Sequence, residues 1–228
     1  MTIQHTPDAD SKIVAAALLD AGCVTARTDE PFRLPSGWAS PVYIDCRRLI
    51  SFPALRRDLV ARAISLLSAK GAVDGIASVV GGEASGIALA AWLADALDLP
   101  MQYVRKKQAG QSQVEGVLEP GSKVLLVDDM MAGGQSKLRF CQALAAGGAH
   151  VEDLFIVFDY DTFPTGKLLG PLGVRVHALA TWRDVLAVAV EREDFPPRVL
   201  DELADFLHDP ASWSRDRGGR ASYPEMGT

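Results

Sequence analysis

The chain has 228 residues, of which 48% are apolar and 23% are charged, and its formal net charge at pH 7 is −6. This length is sufficient for a self-supporting hydrophobic core, so neither disulfides nor structural metals are required for folding. The acidic balance argues against a general nucleic-acid-binding protein, because such proteins normally present a net basic surface.

The sequence also lacks the usual features of membrane and secreted proteins. Its longest stretch without Asp, Glu, Lys or Arg runs from Phe140 to Val151, which is shorter than the roughly 20 apolar residues of a membrane-spanning helix. The N-terminal residues MTIQHTPDAD have no basic start followed by an apolar core, which argues against a secretory signal. Cys23, Cys46 and Cys141 are widely spaced and fit reduced thiols in a cytoplasmic protein.

The N-terminal part of the chain predicts two helices separated by irregular chain. Apolar residues recur at helical spacing over 11–23, where we expect Ser11 to cap the helix. The segment 31–45 is rich in Gly, Pro and Ser and predicts irregular chain that enters a short strand at 42–44. A second helical pattern covers 53–69, with proline at its first position and a glycine just beyond its end.

The middle of the chain alternates short apolar strands with helices. Continuous apolar strands of this kind indicate a mostly parallel sheet with helices on both faces. Ligands bind such sheets at the carboxyl ends of the strands, so we expect functional residues after Val80, Val104 and Val127. The predicted strands are 76–80, 101–104, 124–127, 154–158 and 174–179, and the predicted helices are 84–97, 136–146 and 184–192.

The C-terminal part predicts one more helix over 196–207. It is followed by a polar tail over 209–228 that we expect to be partly mobile. No internal repeat and no low-complexity linker divides the chain. We therefore expect a single structural unit of the α/β class.

Several common catalytic and metal-binding motifs are absent from the sequence. There is no P-loop motif G-x-x-x-x-G-K-[ST] and no G-x-G, which excludes P-loop nucleotide hydrolases and the usual dinucleotide fingerprint. Zinc has no support, because C-x-x-C and H-E-x-x-H are missing and the histidines are scattered. The hydrolase motif G-x-S-x-G is missing as well.

The most informative segment joins the predicted strand 124–127 to the helix that we expect to begin at Ser136. The strand delivers Asp128 and Asp129 to the edge of the sheet, and a short loop with two glycines turns directly into the helix. The glycines let backbone N–H groups converge on an anion, while the helix N-terminus adds partial positive charge and Ser136 a hydroxyl group. A phosphate can therefore bind here without a basic side chain.

The two carboxylates cannot bind that phosphate, but they can accept hydrogen bonds from ribose hydroxyls or hold a hydrated Mg²⁺. The segment therefore predicts a site for a 5-phosphoribosyl group, with Asp128 and Asp129 as the ligands of the sugar hydroxyls and of Mg²⁺. The alternative interpretation is an ordinary acidic turn in which Ser136 caps the helix. The residues expected around the phosphate are Met130, Met131, Ala132, Gly133, Gly134, Gln135 and Ser136.

This segment resembles the phosphoribosyl-pyrophosphate motif of the type I phosphoribosyltransferases. Three further segments resemble the orotate phosphoribosyltransferases within that family. Ser36–Arg47 is similar to their S-G-x-x-S-P-x-Y motif, Tyr103–Lys107 to their Y-V-R-K stretch, and Gly81–Ala90 to their pyrophosphate loop. The likeness extends from about residue 33 to residue 188 with the segments in the family's order.

The resemblance implies an α/β type I phosphoribosyltransferase fold with a small N-terminal hood. It also implies transfer of 5-phosphoribosyl from phosphoribosyl pyrophosphate to orotate in pyrimidine synthesis, with Mg²⁺ as cofactor. No nucleic-acid or membrane partner is expected, and the family implies a cytoplasmic homodimer. On this basis we expect the N-terminal helix and hood over 1–60, the transferase core over 61–195, and a C-terminal helix and tail over 196–228.

The resemblance also implies roles for residues outside the acidic segment. Displacement of pyrophosphate from C1 of ribose places charge on the leaving group, so catalysis depends on positioning and on stabilising that group. Lys106 and Lys107 belong to the densest basic cluster of the chain and are the expected catalytic residues, although a solvated charge run is the alternative. The other expected substrate-binding residues are Arg105, Gly82 and Glu83 for pyrophosphate, and Tyr43 and Ile44 for orotate.

The sequence departs from the family pattern at four places. Pro35 stands where many members have a lysine, and Ala132 and Gly133 stand where the phosphate loop usually carries hydroxyl side chains. The loop over 108–116 is short and lacks the family's second lysine and its histidine. Tyr160 stands where many members have an arginine for the orotate carboxylate.

Two alternative functions remain beside transfer to orotate. One is a regulator with the same fold that only binds phosphoribosyl pyrophosphate or a nucleotide; the short loop favours it, and the retained acidic pair and basic cluster oppose it. The other is the same transfer to a purine or another base, which the S-G-x-x-S-P-x-Y segment disfavours.

Overall fold

A computed structural model describes residues 5–109 and 112–222 of the chain. The strands are β1 (Val24–Ala26), β2 (Phe32–Arg33), β3 (Ala39–Ser40), β4 (Val42–Ile44), β5 (Ser78–Gly82), β6 (Met101–Ala109), β7 (Ser112–Glu115), β8 (Lys123–Met131), β9 (His150–Asp159) and β10 (Arg175–Thr181). The helices are α1 (Ala9–Asp20), α2 (Pro53–Ala69), α3 (Ser85–Leu97), α4 (Gln135–Ala146), α5 (Gly166–Leu169), α6 (Trp182–Arg192), α7 (Pro197–His208) and α8 (Pro210–Asp216), with 3-10 turns at Cys46–Ser51 and Gly170–Leu172.

The described chain forms two compact units. The first comprises the residues up to Arg48 together with those from Thr181 onward, and the second comprises Leu49–Ala180. The domain division expected from the sequence, with boundaries after residues 60 and 195, stays a prediction, and the two units do not follow those boundaries.

The second unit is built on a six-stranded sheet with the strand order β10, β9, β8, β5, β6, β7. β5 pairs in parallel with both β6 and β8, and β8 pairs in parallel with β9. β7 is antiparallel to β6. The predicted α/β class with a mostly parallel sheet is confirmed.

Both faces of this sheet are buried, as the continuous apolar strands predict. Every residue from Val124 to Val127 is 0% exposed. Alternate side chains of a strand point to opposite faces, and Val124 and Leu126 share a hydrophobic cluster with Phe140 and Leu144 of α4. α3 packs against β5 and β8, so helices flank the sheet.

The first unit contains small antiparallel pairs and the terminal helices. β1 pairs with β4 and β2 with β3, while α1 packs on α6. α1 begins earlier than predicted, because Asp8 Oδ1 accepts the N–H of Ser11 at 2.8 Å. Asp8 is therefore the capping residue and Ser11, expected to be the cap, lies inside the first turn.

The part of the expected polar tail that the structure describes, up to residue 222, includes a further helix. α8 buries Trp213, whose ring meets Phe206 edge-on at 5.4 Å. Further along, the N–H of Arg220 donates to the carbonyl of Gly37 at 2.9 Å. Trp213 docks this polar stretch together with the buried Ser214, whose Oγ accepts the N–H of Ala39 at 2.9 Å. Composition alone did not reveal these contacts.

The segment 108–116, expected to be an open loop, belongs in large part to a β-hairpin. β6 continues to Ala109, and β7 pairs Val114 with Val104 and Glu115 with Tyr103. The side-chain amide of Gln113 donates to the Arg105 carbonyl at 2.6 Å. Val114 is buried in the cluster beneath the sheet, which gives the hairpin an apolar anchor; residues 110 and 111 lie outside the described residues.

The sequence predicts no membrane-spanning helix and no disulfide framework. Within residues 5–109 and 112–222, no helix combines the length and apolar character needed to cross a membrane. The three cysteines all fall within these ranges, are buried, and form no disulfide with one another.

Candidate active site

The connection from β8 to α4 forms a tight turn at the carboxyl edge of the sheet. Gly134 precedes the helix with a positive φ of 73°, and a Cβ there would lie 3.2 Å from Leu168 Cδ2. Glycine is therefore needed at this turn. The first N–H groups of a helix have no partner within the helix and can bind an anion. Ser136 lies inside the first turn, so the alternative in which it caps the helix is wrong.

Asp128 is buried at the start of this connection and both of its carboxylate oxygens are engaged. Oδ2 accepts a hydrogen bond from Lys137 Nζ at 2.6 Å, and Oδ1 accepts the backbone N–H of Asp129 at 2.9 Å. Asp128 and Lys137 are each 5% exposed. The first carboxylate of the pair is thus held by neighbouring groups of its own chain.

Asp129 has a different environment. It is partly exposed, and its Oδ1 accepts the N–H of Met130 at 2.8 Å. Burial raises the pKa of Asp129, the adjacent Asp128 carboxylate raises it further, and the charge of Lys137 opposes the rise. Asp129 as a residue is more exposed than Asp128, and it borders the anion-binding turn.

Asp159 is a further acidic residue at this edge, which sequence reasoning missed. It ends β9, where it pairs with Met131 of β8. Burial raises the pKa of Asp159 to about 6, although an N–H donated by Asp161 at 3.1 Å opposes the rise. Parallel pairing of β8 and β9 brings this side chain to the site, and the sequence pattern carried no signal for that register.

The raised pKa of Asp159 predicts a pH-dependent gain in stability for Asp159→Asn. A carboxyl with a raised pKa in the folded state costs stability when ionised, above about pH 6, and this cost disappears as the pH falls toward about 4, the usual pKa of an unfolded Asp. The amide can still accept the N–H of Asp161. We expect the variant to be more stable than wild type by about 2 kcal/mol at pH 8, with no difference near pH 4.

Urea unfolding at several pH values checks this expectation. Asp95→Asn, on the exposed side of α3, is the matched control and should show no such pH-dependent difference. A stability difference for Asp159→Asn that is the same at pH 8 and pH 4 would contradict the prediction.

The glycines at the β5 to α3 turn allow this turn to pack closely on β8. A Cβ at Gly86 would overlap the carbonyl oxygen of Val127, and a Cβ at Gly82 would lie 2.6 Å from Phe140 Cε2. The N–H of Glu83 donates to the Val104 carbonyl at 2.9 Å, so this N–H is already used within the sheet. The structure shows that these glycines are needed for close packing. The anion-binding role expected from the sequence stays a prediction.

The side chain of Glu83 joins this turn to the basic strand. Its Oε2 accepts the backbone N–H of Lys106 at 2.6 Å. Lys106 and Lys107 themselves have exposed side chains. Because the carboxyl ends of β5, β6 and β8 meet at one edge, the basic cluster lies on the same side of the sheet as the acidic pair.

Arg105 is committed to the hairpin. Its Nε donates to Glu115 Oε1 at 2.7 Å, and its guanidinium lies 5.8 Å from the Tyr103 ring centroid. Lys106 and Lys107 are more exposed than Arg105, whose guanidinium is paired with Glu115. The expected role of Arg105 in pyrophosphate binding stays a prediction.

Tyr43 and Ile44, expected beside orotate, lie on β4 of the first unit. Ile44 is buried in the core, and the Tyr43 ring packs against Phe32 with 5.6 Å between centroids. Their contact with a substrate stays a prediction.

The acidic pair fits a metal ion that is shared with a substrate. In the described ranges, no group of three or more His, Cys, Asp or Glu side chains is placed to hold a metal. Mg²⁺ is commonly held by one or two carboxylates together with water and substrate phosphates. Asp129 suits this mode, since it is a partly exposed residue that borders the anion-binding turn. Asp128 is already engaged by Lys137.

Comparison with known proteins identifies the family. Residues 55–159 match the family model of the phosphoribosyl transferase domain. The orotate phosphoribosyltransferase of Ruegeria sp. is 43% identical over 207 residues, which cover 89% of this chain and 92% of that protein. The chain belongs to the orotate phosphoribosyltransferase family.

Other orotate phosphoribosyltransferases agree with this assignment. The protein from Rhizobium rhizogenes is 41% identical over 215 residues, covering 92% of this chain and 93% of its own length. The crystal structure of the Aeropyrum pernix enzyme superposes with a TM-score of 0.67 at 29% identity, covering 79% of this chain and 99% of that one. The family resemblance drawn from the four motifs is confirmed.

Tyr160, the position at which many orotate phosphoribosyltransferases have an arginine, lies in an aromatic cluster. The residue is 1% exposed, stacks on Phe163 and meets Phe158 edge-on, with 6.0 Å between ring centroids in both contacts. A buried phenol cannot provide the positive charge of an arginine.

Proposed function

We propose that this chain transfers the 5-phosphoribosyl group of phosphoribosyl pyrophosphate to orotate, giving orotidine 5′-phosphate and pyrophosphate. The observation that carries the proposal is one sheet edge. There Asp129 lies near the end of β8, the anion-binding start of α4 follows that strand, and the two lysines lie toward the end of β6, with β5 between β8 and β6. The names of relatives at 41–43% identity support orotate as the acceptor.

Each part of this edge suits one part of phosphoribosyl pyrophosphate. The N–H groups at the start of α4 suit the 5′-phosphate, because they donate hydrogen bonds and carry the helix dipole. The Asp129 carboxylate suits the ribose hydroxyls, since it can accept their hydrogen bonds. Lys106 and Lys107 are exposed in the last part of β6, which is separated from β8 by β5, and they suit the pyrophosphate.

The proposed reaction breaks the bond from C1 of ribose to a pyrophosphate oxygen and forms a bond from C1 to a ring nitrogen of orotate. The proton of that nitrogen passes to solvent or to the departing pyrophosphate. The chain binds the phosphate and sugar, which holds C1 in place, while the lysines stabilise the charge of the departing pyrophosphate. Mg²⁺, when bound with the substrate, would supply further positive charge at the pyrophosphate, with Asp129 as the residue placed to hold it.

Two further parts of the proposal come from the family. They are a homodimer and a cytoplasmic location, and the three cysteines without mutual disulfides are consistent with the latter. Size-exclusion chromatography with light scattering tests the homodimer directly.

The reaction is tested by incubating the protein with phosphoribosyl pyrophosphate, Mg²⁺ and orotate while following the loss of orotate absorbance. Turnover with orotate, and none with adenine or hypoxanthine, is the expected result. Turnover with a purine base alone would instead support transfer to purines. Binding of phosphoribosyl pyrophosphate without turnover on any base would support the regulator.

Lys107→Ala tests the role of the basic strand. We expect kcat/KM for phosphoribosyl pyrophosphate to fall about tenfold, because the variant loses one charge that stabilises the leaving group. Lys70→Ala, which removes an exposed lysine at the end of α2, is the control and should leave kinetics unchanged. Unchanged turnover and unchanged substrate affinity in Lys107→Ala would refute this role.

A further inference from the structure

Lys137 occupies a position that is unfavourable for a lysine. It is the third residue of α4 and is buried. Burial disfavours an ammonium group, and the first turn of a helix carries a partial positive charge that repels it. A lysine held there requires compensation from nearby anions.

The compensation comes from carboxylates at the same edge of the sheet. Lys137 Nζ donates to Asp128 Oδ2 at 2.6 Å. Its charge also acts on Asp129 and Asp159, since it opposes the rise in the pKa of both. A buried ion pair adds little net stability compared with apolar packing, so the main consequence of this pair is the geometry that it imposes on the site.

That geometry encloses Asp128. A Cβ at Gly86 would lie 3.1 Å from Asp128 Oδ1, and a Cβ at Gly82 would lie 3.2 Å from Oδ2, so glycine backbone closes around both oxygens. The same oxygens are hydrogen-bonded to the Asp129 N–H and to Lys137. Asp129, by contrast, is partly exposed.

We propose that Lys137 is a positioning residue of the transferase site, which holds Asp128 so that Asp129 presents the pair's substrate-facing carboxylate to the ribose hydroxyls. The Asp129 N–H bond to Asp128 Oδ1 transmits the constraint from Lys137 to Asp129. Asp128 and Asp129, to which the sequence analysis assigns the same role, therefore have different roles. Asp128 anchors the turn and Asp129 binds the sugar. The inference rests on the proposed function for its substrate.

The difference between the two acids can be tested without substrate. Carbodiimide coupling of an amine to carboxyl groups, located by fragmentation mass spectrometry, should modify Asp129 severalfold faster than Asp128 in the wild-type protein. Lys137→Met should make the two rates more similar, because Asp128 loses its partner. Equal modification of Asp128 and Asp129 in the wild type overturns the proposed difference.

Binding of phosphoribosyl pyrophosphate tests the positioning role. Lys137→Met should weaken binding about tenfold, equivalent to about 1.4 kcal/mol, because an unpaired Asp128 no longer fixes the position of Asp129. It should raise KM more than it lowers kcat, and Lys137→Arg should restore part of the affinity. Arg139→Met, on the exposed side of the same helix, is the matched control and should bind like wild type.

The double variant Asp128→Asn with Lys137→Met separates the two roles of Asp128. If Asp128 is an anchor, removing both charges leaves no unpaired ion, and the double variant should bind more tightly than either single variant. A double variant no better than Asp128→Asn means that Asp128 itself binds the sugar and overturns the proposal. Thermal unfolding checks that each variant is folded. If Lys137→Met does not fold, the comparison of the double variant with Asp128→Asn still tests the proposal.

The outcome for wild type distinguishes the two levels of inference. Wild-type protein that binds phosphoribosyl pyrophosphate, with Lys137→Met folded and binding equally well, overturns the positioning role alone. Wild-type protein that binds no phosphoribosyl pyrophosphate overturns the proposed function and, with it, the assignment of Asp129 to ribose.

Discussion

Asp129→Asn is expected to lower kcat/KM for phosphoribosyl pyrophosphate about a hundredfold while the protein stays folded. The amide keeps an oxygen for the N–H of Met130, which Asp129 Oδ1 accepts at 2.8 Å. It loses the negative charge that strengthens hydrogen bonds from ribose hydroxyls, and two such bonds account for an effect of this size. Steady-state kinetics with varied phosphoribosyl pyrophosphate measure it.

The stability of this variant separates lost binding from lost folding. Burial and the neighbouring Asp128 charge raise the pKa of Asp129, so the ionised side chain costs stability at alkaline pH. We therefore expect Asp129→Asn to be at least as stable as wild type at pH 8, and Asp95→Asn on α3 to have wild-type kinetics. Wild-type kcat/KM in Asp129→Asn would remove this residue from the proposed site.

Gly86→Ala is expected to be the most destabilising small substitution at the site. Its Cβ would overlap the Val127 carbonyl oxygen and lie 2.9 Å from Asp128 Cα. Both atoms belong to backbone of the central strand, so no flexible side chain can move aside. Overpacking of this kind costs about 3 kcal/mol, equivalent to a decrease in Tm of roughly 6–12 °C for a chain of this size.

Gly86→Ala should also reduce activity, because its added Cβ displaces the backbone of Asp128, the first residue of the acidic pair. Differential scanning calorimetry and the orotate assay measure the two effects. Gly166→Ala is the matched control, since Gly166 begins a helix and a Cβ there has nothing within 4 Å; it should be neutral or slightly stabilising. Equal Tm values for Gly86→Ala and wild type would contradict the inference that the β5 to α3 turn leaves no room for a side chain at residue 86.

Local sequence signals predicted the elements that they control. The helix predicted over 53–69 has the same bounds in the structure, because a proline at its start and a glycine beyond its end mark both limits. The strand predicted at 124–127 is present but extends over Lys123–Met131. The added residues include Asp128 and Asp129. Because these residues are polar, the apolar pattern ends before them, although the strand continues to pair with β9.

The hairpin and the C-terminal helix show where local signals are insufficient. Gln113 and the residues around it are polar, yet Val114 docks the strand into the core. In α8, Trp213 performs the same role in a polar segment. Single apolar anchors carry no periodicity, and their effect depends on a complementary surface supplied by distant parts of the chain.

Some parts of the candidate site were predictable from the local sequence and others were not. The order of strand, acidic pair, glycine turn and helix predicted a phosphoribosyl site, because each feature lies within a dozen consecutive residues and acts through backbone geometry. The sequence carried no signal that Asp128 would meet Lys137, nine positions later, or that Asp159 would join the same edge. Those relations depend on helix entry angle and strand register.

By itself, the sequence determined the α/β class, the central parallel strands and the family, since hydrophobic pattern and short motifs are local properties of the chain. Only the tertiary structure decided that Asp128 is enclosed and paired with Lys137, while the adjacent Asp129 is partly exposed. The physical reason is that burial, hydrogen bonding and the pKa of a carboxyl depend on groups that folding brings together. The net charge of −6 excluded a broad basic surface, while folding placed a few lysines beside one acidic pair.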